Sequence, residues 1–151
     1  MNGEMAIWKR VCAQSRTQAL GEQLYQLARL SSMALEDYRL LAAQSRDRSG
    51  RVWQLVRWEE ENLSALRGMF LLDTGREMGP FPQTIRDRWG READLLYRRA
   101  VEQMQAYTAL SAQPYYGISF GEMARRQGKL CDGLVGWLGG RQRKTEQNVR
   151  R

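Results

Sequence analysis

Glu59 is the residue best placed to do chemistry. It follows Val56 by three residues and Val52 by seven, within the apolar stripe of its segment, so on a helix its carboxyl group points inward. A carboxyl group in that position needs a hydrogen-bond partner or a raised pKa, and it could serve as an acid or as a residual ligand. Few residues could join it in catalysis. The 151 residues contain no histidine and only two cysteines, Cys12 and Cys131. Without histidine, neither a Ser/His/Asp nor a Cys/His nucleophile can be assembled, and no imidazole is available to lower a thiol pKa. No Gly-rich loop of the phosphate-cradling kind occurs. Two cysteines so far apart in sequence suit neither a disulfide scaffold nor a metal cluster, and a reducing compartment is the expectation.

The elements that must position Glu59 read as helices. Leu20, Leu24, Leu27, Leu30, Ala34, Leu35, Tyr38 and Leu41 recur in steps of three and four over a first segment of about 6–44, in which Gly21 could mark a break. Asp47-Arg48-Ser49-Gly50 is a turn signal. The second helix, about 48–74, turns Val52, Leu55, Val56, Glu59, Asn62, Leu63, Leu66, Met69 and Phe70 inward and ends near Gly75. A crossover containing Gly79-Pro80-Phe81-Pro82 leads to a third helix, about 82–112, through Ile85, Trp89, Leu96, Ala100, Met104, Tyr107 and Leu110. Gln113-Pro114-Tyr115-Tyr116-Gly117 closes it. The fourth, about 118–138, stops at Gly139-Gly140.

The second half echoes the first. Tyr38-x-x-Leu41-x-Ala43-Gln44 recurs as Tyr107-x-x-Leu110-x-Ala112-Gln113, and each copy leads through a short Gly-containing loop into another apolar-periodic helix. With one residue less in the second loop, Val52 matches Phe120, Leu55 matches Met123, Glu59 matches Gln127, Asn62 matches Leu130 and Leu66 matches Leu134. The expected fold is therefore all-α: one antiparallel four-helix bundle over residues 1–140, made of two duplicated helical hairpins.

In loop placement, duplicated Tyr motif and apolar register, residues 18 to 140 resemble the ferritin-like superfamily, in particular its rubrerythrin-like members. That resemblance implies a dinuclear iron or manganese site held by Glu-x-x-His on helices two and four and by a Glu on each of helices one and three. The matching positions here are Glu59 and Asn62, Gln127 and Leu130, Ser31 and Ala100. One carboxylate with two neutral amides cannot offset two dications, so the site reads as degenerate and no metal or other cofactor is expected. In its place we expect a buried hydrogen-bonded cluster of Glu59, Asn62 and Gln127 with the phenols of Tyr38 and Tyr107. The alternative is a metal-binding redox protein of the rubrerythrin type, using iron or manganese on displaced carboxylates such as Glu36 or Glu102 beside Glu59. Glu36, Glu60, Glu61, Glu102 and Glu122 read instead as solvated faces.

The formal charge of +7 is uneven. Residues 141 to 151 carry a net +4 and only one apolar residue, Val149, so a basic, disordered tail is expected beyond the bundle. The stretch from Gly121 to Gly128 looks locally like the first helix of a helix-turn-helix reader. The next residues, Lys129 to Gly140, continue the same apolar stripe instead of supplying a recognition helix, and nucleic acid is not the expected partner. A basic nucleic-acid-associated protein is kept as the second alternative. Trp58 and Trp89, if they face outward, would suit an interface. No apolar run approaches the roughly 18 residues of a membrane span, and a cytoplasmic protein is expected. The sequence thus suggests a non-catalytic structural or protein-interaction module, a homo-oligomer or a partner-binding bundle.

Overall fold

The computed structural model describes the backbone of residues 2–45, 50–81 and 93–149, and the side chains of 19–44, 50–81 and 94–139. Among these residues there are four helices and no strand: α1 (Asn2–Ser45), α2 (Arg51–Thr74), α3 (Ala93–Leu110) and α4 (Gly117–Val149). The chain is all-α. The most extensive contacts join α1 to α2 and α3 to α4; α2 also meets α4, and α1 touches α3 over a smaller area.

Local chemistry explains the helix ends around α2. Gly50 and Gly75 flank it with φ of 71° and 72°, the left-handed region in which a side chain would be strained. The Gly75 N–H closes the last turn on the Leu71 carbonyl at 2.9 Å. Thr74 secures the exit, its hydroxyl donating to the Phe70 carbonyl at 2.7 Å and accepting the Arg76 N–H at 3.2 Å.

One helix bound differs plainly from expectation: α4 runs through Gly139-Gly140 to Val149, while α1 is continuous through Gly21, where the sequence only allows a break. A helix-interior glycine costs only about 1 kcal/mol relative to Ala and keeps its backbone hydrogen bonds, so neither site compels a stop. The start of α3 expected at Pro82, the turn at Asp47-Arg48-Ser49, and Ile85 and Trp89 lie outside the described residues. So do the side chains of Trp8, Cys12 and the basic tail.

The core is the inward stripe of all four helices. Leu20, Leu24, Leu27, Ala28, Ala34, Leu35, Tyr38 and Leu41 from α1 meet Val52, Leu55, Val56, Leu63, Leu66 and Met69 from α2. Leu96, Ala100 and Tyr107 from α3 and Phe120, Met123, Leu130 and Leu134 from α4 complete it. Contacts between the helices have a consistent order. Gly21 approaches Thr74 while Ser31 meets Glu59; Gly133 lies against Leu55 while Asn62 meets Gln127. Of the tryptophans, Trp58 is half-buried against the core and Trp53 is 48% exposed. No described helix is long and apolar enough to cross a membrane.

Candidate functional site

The apolar core encloses a polar centre. Ser31, Glu59, Asn62, Gln103 and Gln127 are fully buried, from all four helices. Ser31 Oγ donates to Glu59 Oε1 at 2.5 Å, and Gln103 Nε2 donates to the same oxygen at 3.0 Å. Gln127 Nε2 donates to Gln103 Oε1 at 3.2 Å and shares that group with the Ala100 carbonyl at 3.3 Å. Asn62 Nδ2 donates to Gln127 Oε1 at 3.0 Å. Asn62 Oδ1 in turn accepts from Nε of Arg126 at 2.9 Å, and the Arg126 guanidinium reaches Glu61 at 3.6 Å, near the surface.

These bonds all run one way. From Arg126 through Asn62, Gln127 and Gln103, each side chain accepts from the outer neighbour and donates to the inner one, and the row ends on the Glu59 carboxyl. Hydrogen bonds aligned in series polarise one another, and here every dipole favours negative charge at Glu59. Burial opposes that charge and prevails: the Glu59 carboxyl is pushed up from its ordinary 4.5 to about 7, despite the Ser31 and Gln103 hydrogen bonds, the Arg99 charge and Gln127.

Tyr38 and Tyr107 are buried, and their hydroxyls rise above the ordinary phenol range, first through burial and then through the neighbouring Glu59. Their positions are inward, and Arg99 beside Tyr38 and Gln103 beside Tyr107 moderate the rise, but among the described residues neither hydroxyl, nor Glu59 Oε2, has a partner in hydrogen-bond geometry. The expected cluster of Glu59 with Asn62, Gln127 and two phenols therefore differs in membership. Ser31 and Gln103 supply the bonds to the carboxyl that the phenols were expected to make.

A second buried group ties α1 to α3. Arg99 Nη1 donates to Asp37 Oδ2 at 2.7 Å, with both side chains almost wholly enclosed. The guanidinium also lies 5.9 Å from the centre of the Tyr38 ring, within cation–π range. Neither this pair nor Gln103 was anticipated from sequence. Their spacing offered a signal: Asp37 follows Ala34 by three, Arg99 follows Leu96 by three, and Gln103 lies between Ala100 and Tyr107 at helical steps. On α3 residue type points to the apolar Met104 as the inward residue, yet it is half-buried while Gln103 is fully buried.

The ligand positions implied by the ferritin-like resemblance, Glu59, Asn62, Gln127, Leu130, Ser31 and Ala100, are all buried. As donors they amount to one carboxylate, two amides and a hydroxyl beside two apolar side chains. The amides and the hydroxyl are already engaged with each other and with Glu59, and two dications would meet a single anionic group. These residues do not fit a dinuclear metal centre. Among the described residues no group of three or more His, Cys, Asp or Glu side chains comes together. Glu36, Glu60, Glu61, Glu102 and Glu122 are exposed. Cys131 is buried, and burial pushes its thiol up to about 11, away from reactivity. Of the two tryptophans considered for an interface, Trp58 packs inward at the core edge, and Trp89 is outside the described residues.

No protein-family model matches the chain, and neither a curated protein nor a solved structure is found to be similar to it.

Proposed function

We propose that this chain is a non-catalytic helical module of ferritin-like topology, two antiparallel hairpins packed together, in which a hydrogen-bonded polar row takes the place of a metal centre and which works by associating with a second copy of itself. The observation that carries the reading is the convergence of all four helices on Glu59, the single anionic group of the cluster, through donors already bonded to one another, which leaves one carboxylate oxygen where a metal pair needs several anionic ligands. The hairpin topology is supported by the order of the contacts: as residue numbers rise along α1 or α4, those of their partners on α2 fall. Association is supported by the apolar side chains at the end where α1 leads into α2. Leu40 is 50% exposed there and Trp53 48%, and Val135, 53% exposed, lies two residues beyond the Gly133 that packs on Leu55.

Two measurements test this. Protein incubated anaerobically with ferrous iron and manganese, then desalted, is expected to carry no stoichiometric metal, and a bound metal pair overturns the non-catalytic reading. Light scattering coupled to size exclusion is expected to give a mass above that of one chain, reduced by Trp53→Ser with Leu40→Ser. A wild-type monomer at concentrations of tens of micromolar, roughly the range where a weak dimer forms, removes the association.

A further inference from the structure

We propose that the cleft between α1 and the C-terminal end of α2 binds a small organic ammonium ion, its charge on the Asp73 carboxylate and its apolar body against the rings of Tyr25 and Phe70. The cleft measures about 560 Å³, within the size of small-molecule sites. It lies away from the polar core and is independent of the metal-free bundle and its self-association.

Four observations converge on a cation. Asp73 Oδ2 is enclosed and has no hydrogen-bond partner, and its carboxyl is pushed up by burial. Asp73 as a whole is half-exposed, so one carboxylate oxygen is shut off from water beside an open cleft, a modest cost that a cation there offsets. Asp73 also stands in the last turn of α2, where the exposed carbonyl end of the helix adds partial negative charge to the same place. Glu22 adds a second carboxylate, so that among the described lining residues two carboxylates face one guanidinium, Arg76, with Arg67 close by on the Phe81 ring. Finally, the walls are aromatic. Tyr25 meets the Phe81 ring at a centroid distance of 5.4 Å, and Phe70 also lines the cleft.

Ring faces attract cations that are weakly hydrated, and this aromatic group already receives one: the Arg67 guanidinium sits 5.9 Å from the centre of Phe81. A divalent metal ion is a poorer occupant, because Mg²⁺ or Ca²⁺ needs about six or more oxygen ligands and the cleft is walled by rings. An anion would face two carboxylates. An alkyl or arylalkyl ammonium satisfies both the charge and the rings.

The probe is 2-phenylethylammonium chloride, titrated into the full chain and followed by saturation-transfer NMR and calorimetry, with 2-phenylethanol as the uncharged analogue of similar shape. Saturable one-to-one binding is expected for the amine, weaker by about tenfold or more for the alcohol and for Asp73→Asn, as fits the loss of a charged hydrogen bond. Tyr25→Leu keeps the carboxylate and removes a ring face, and should weaken the amine several-fold. Glu60→Gln, exposed and elsewhere on α2, should leave it unchanged. Asp73→Asn removes a half-exposed negative charge from a helix C-terminus and should fold as well as the wild type, which far-UV circular dichroism checks. The proposal is overturned if the amine does not saturate, if Asp73→Asn binds equally well, or if the alcohol binds as tightly as the amine.

Discussion

Replacing Glu59 by Gln should change how stability depends on pH more than it changes stability itself. In the folded chain the carboxyl holds its proton to about pH 7, against 4.5 for the ordinary group. Below 4.5 both the folded and the unfolded chain are protonated at this site, and the core takes the full benefit of a neutral acid. Between 4.5 and 7 the unfolded chain gives up its proton while the folded chain retains it, so the unfolded state binds fewer protons and folding stability falls as pH rises. At about 1.4 kcal/mol per pH unit, the loss amounts to about 3 kcal/mol, complete near pH 7.5. That is a large part of the roughly 5–15 kcal/mol available to a domain. The assay is urea unfolding, followed by circular dichroism, of wild type and Glu59→Gln at intervals from pH 4.5 to 8. Subtracting one curve from the other cancels the remaining titrating groups, among them Asp73, Tyr38, Tyr107 and Cys131. The variant should gain on the wild type by about 3 kcal/mol across the window, with unchanged urea dependence. A difference that is flat with pH would show that the aligned amides and Arg99 offset burial, a wild type that gains on the variant as pH rises would show that they outweigh it, and in either case the reasoning would fail.

Four other substitutions probe separate parts of the structure. Asp37→Leu leaves Arg99 enclosed without its carboxylate and should cost about 3–5 kcal/mol in urea unfolding, whereas a cost below about 1 kcal/mol would mean that the buried pair holds nothing. Gln103→Met removes one of the two donors on Glu59 Oε1, so the midpoint of the Glu59 carboxyl carbon titration by NMR should move up by roughly one pH unit; no movement would deny that the amide acts on the carboxyl. Gly117→Ala places a Cβ 2.5 Å from the Ser111 carbonyl oxygen, which is backbone and cannot swing away, and should cost roughly 1–3 kcal/mol. Gly121→Ala on the same helix meets nothing within 4 Å and should be stabilising by roughly 0.5–1 kcal/mol; equal effects at the two glycines would refute the steric argument.

The helices were legible where polar and apolar residues agreed with the 3.6-residue period. The inward face of α2 is the clearest case, since Val52, Leu55, Val56, Glu59, Asn62, Leu63, Leu66 and Met69 are buried and only Phe70 of the expected set is half-buried. Glu59 and Asn62 could be placed inward because the apolar residues around them left no other face. On α3 the same reasoning preferred Met104 to its neighbour Gln103, since periodicity alone does not separate adjacent positions and residue type then decided. Asp37 and Arg99 were missed for a related reason. Each looks like a surface charge in its own helix, and only their meeting across α1 and α3 makes burial tolerable. Gly139-Gly140 suggested a boundary that the backbone hydrogen bonds of α4 override, and the break left open at Gly21 does not occur in α1.

The one-way order of the polar row bears on depth as well as charge. A core made only of leucines and alanines would tolerate one helix slipping past another by a turn, about 5.4 Å, with much the same burial afterwards. Here such a slip of α3 would part Gln103 from both Glu59 and Gln127, and a slip of α4 would part Gln127 from Asn62 and Gln103. Each fault would strand buried amides with no water to receive them. The row therefore works like the notches of a key: it admits the helices at one insertion depth, and a shorter or longer seat does not turn.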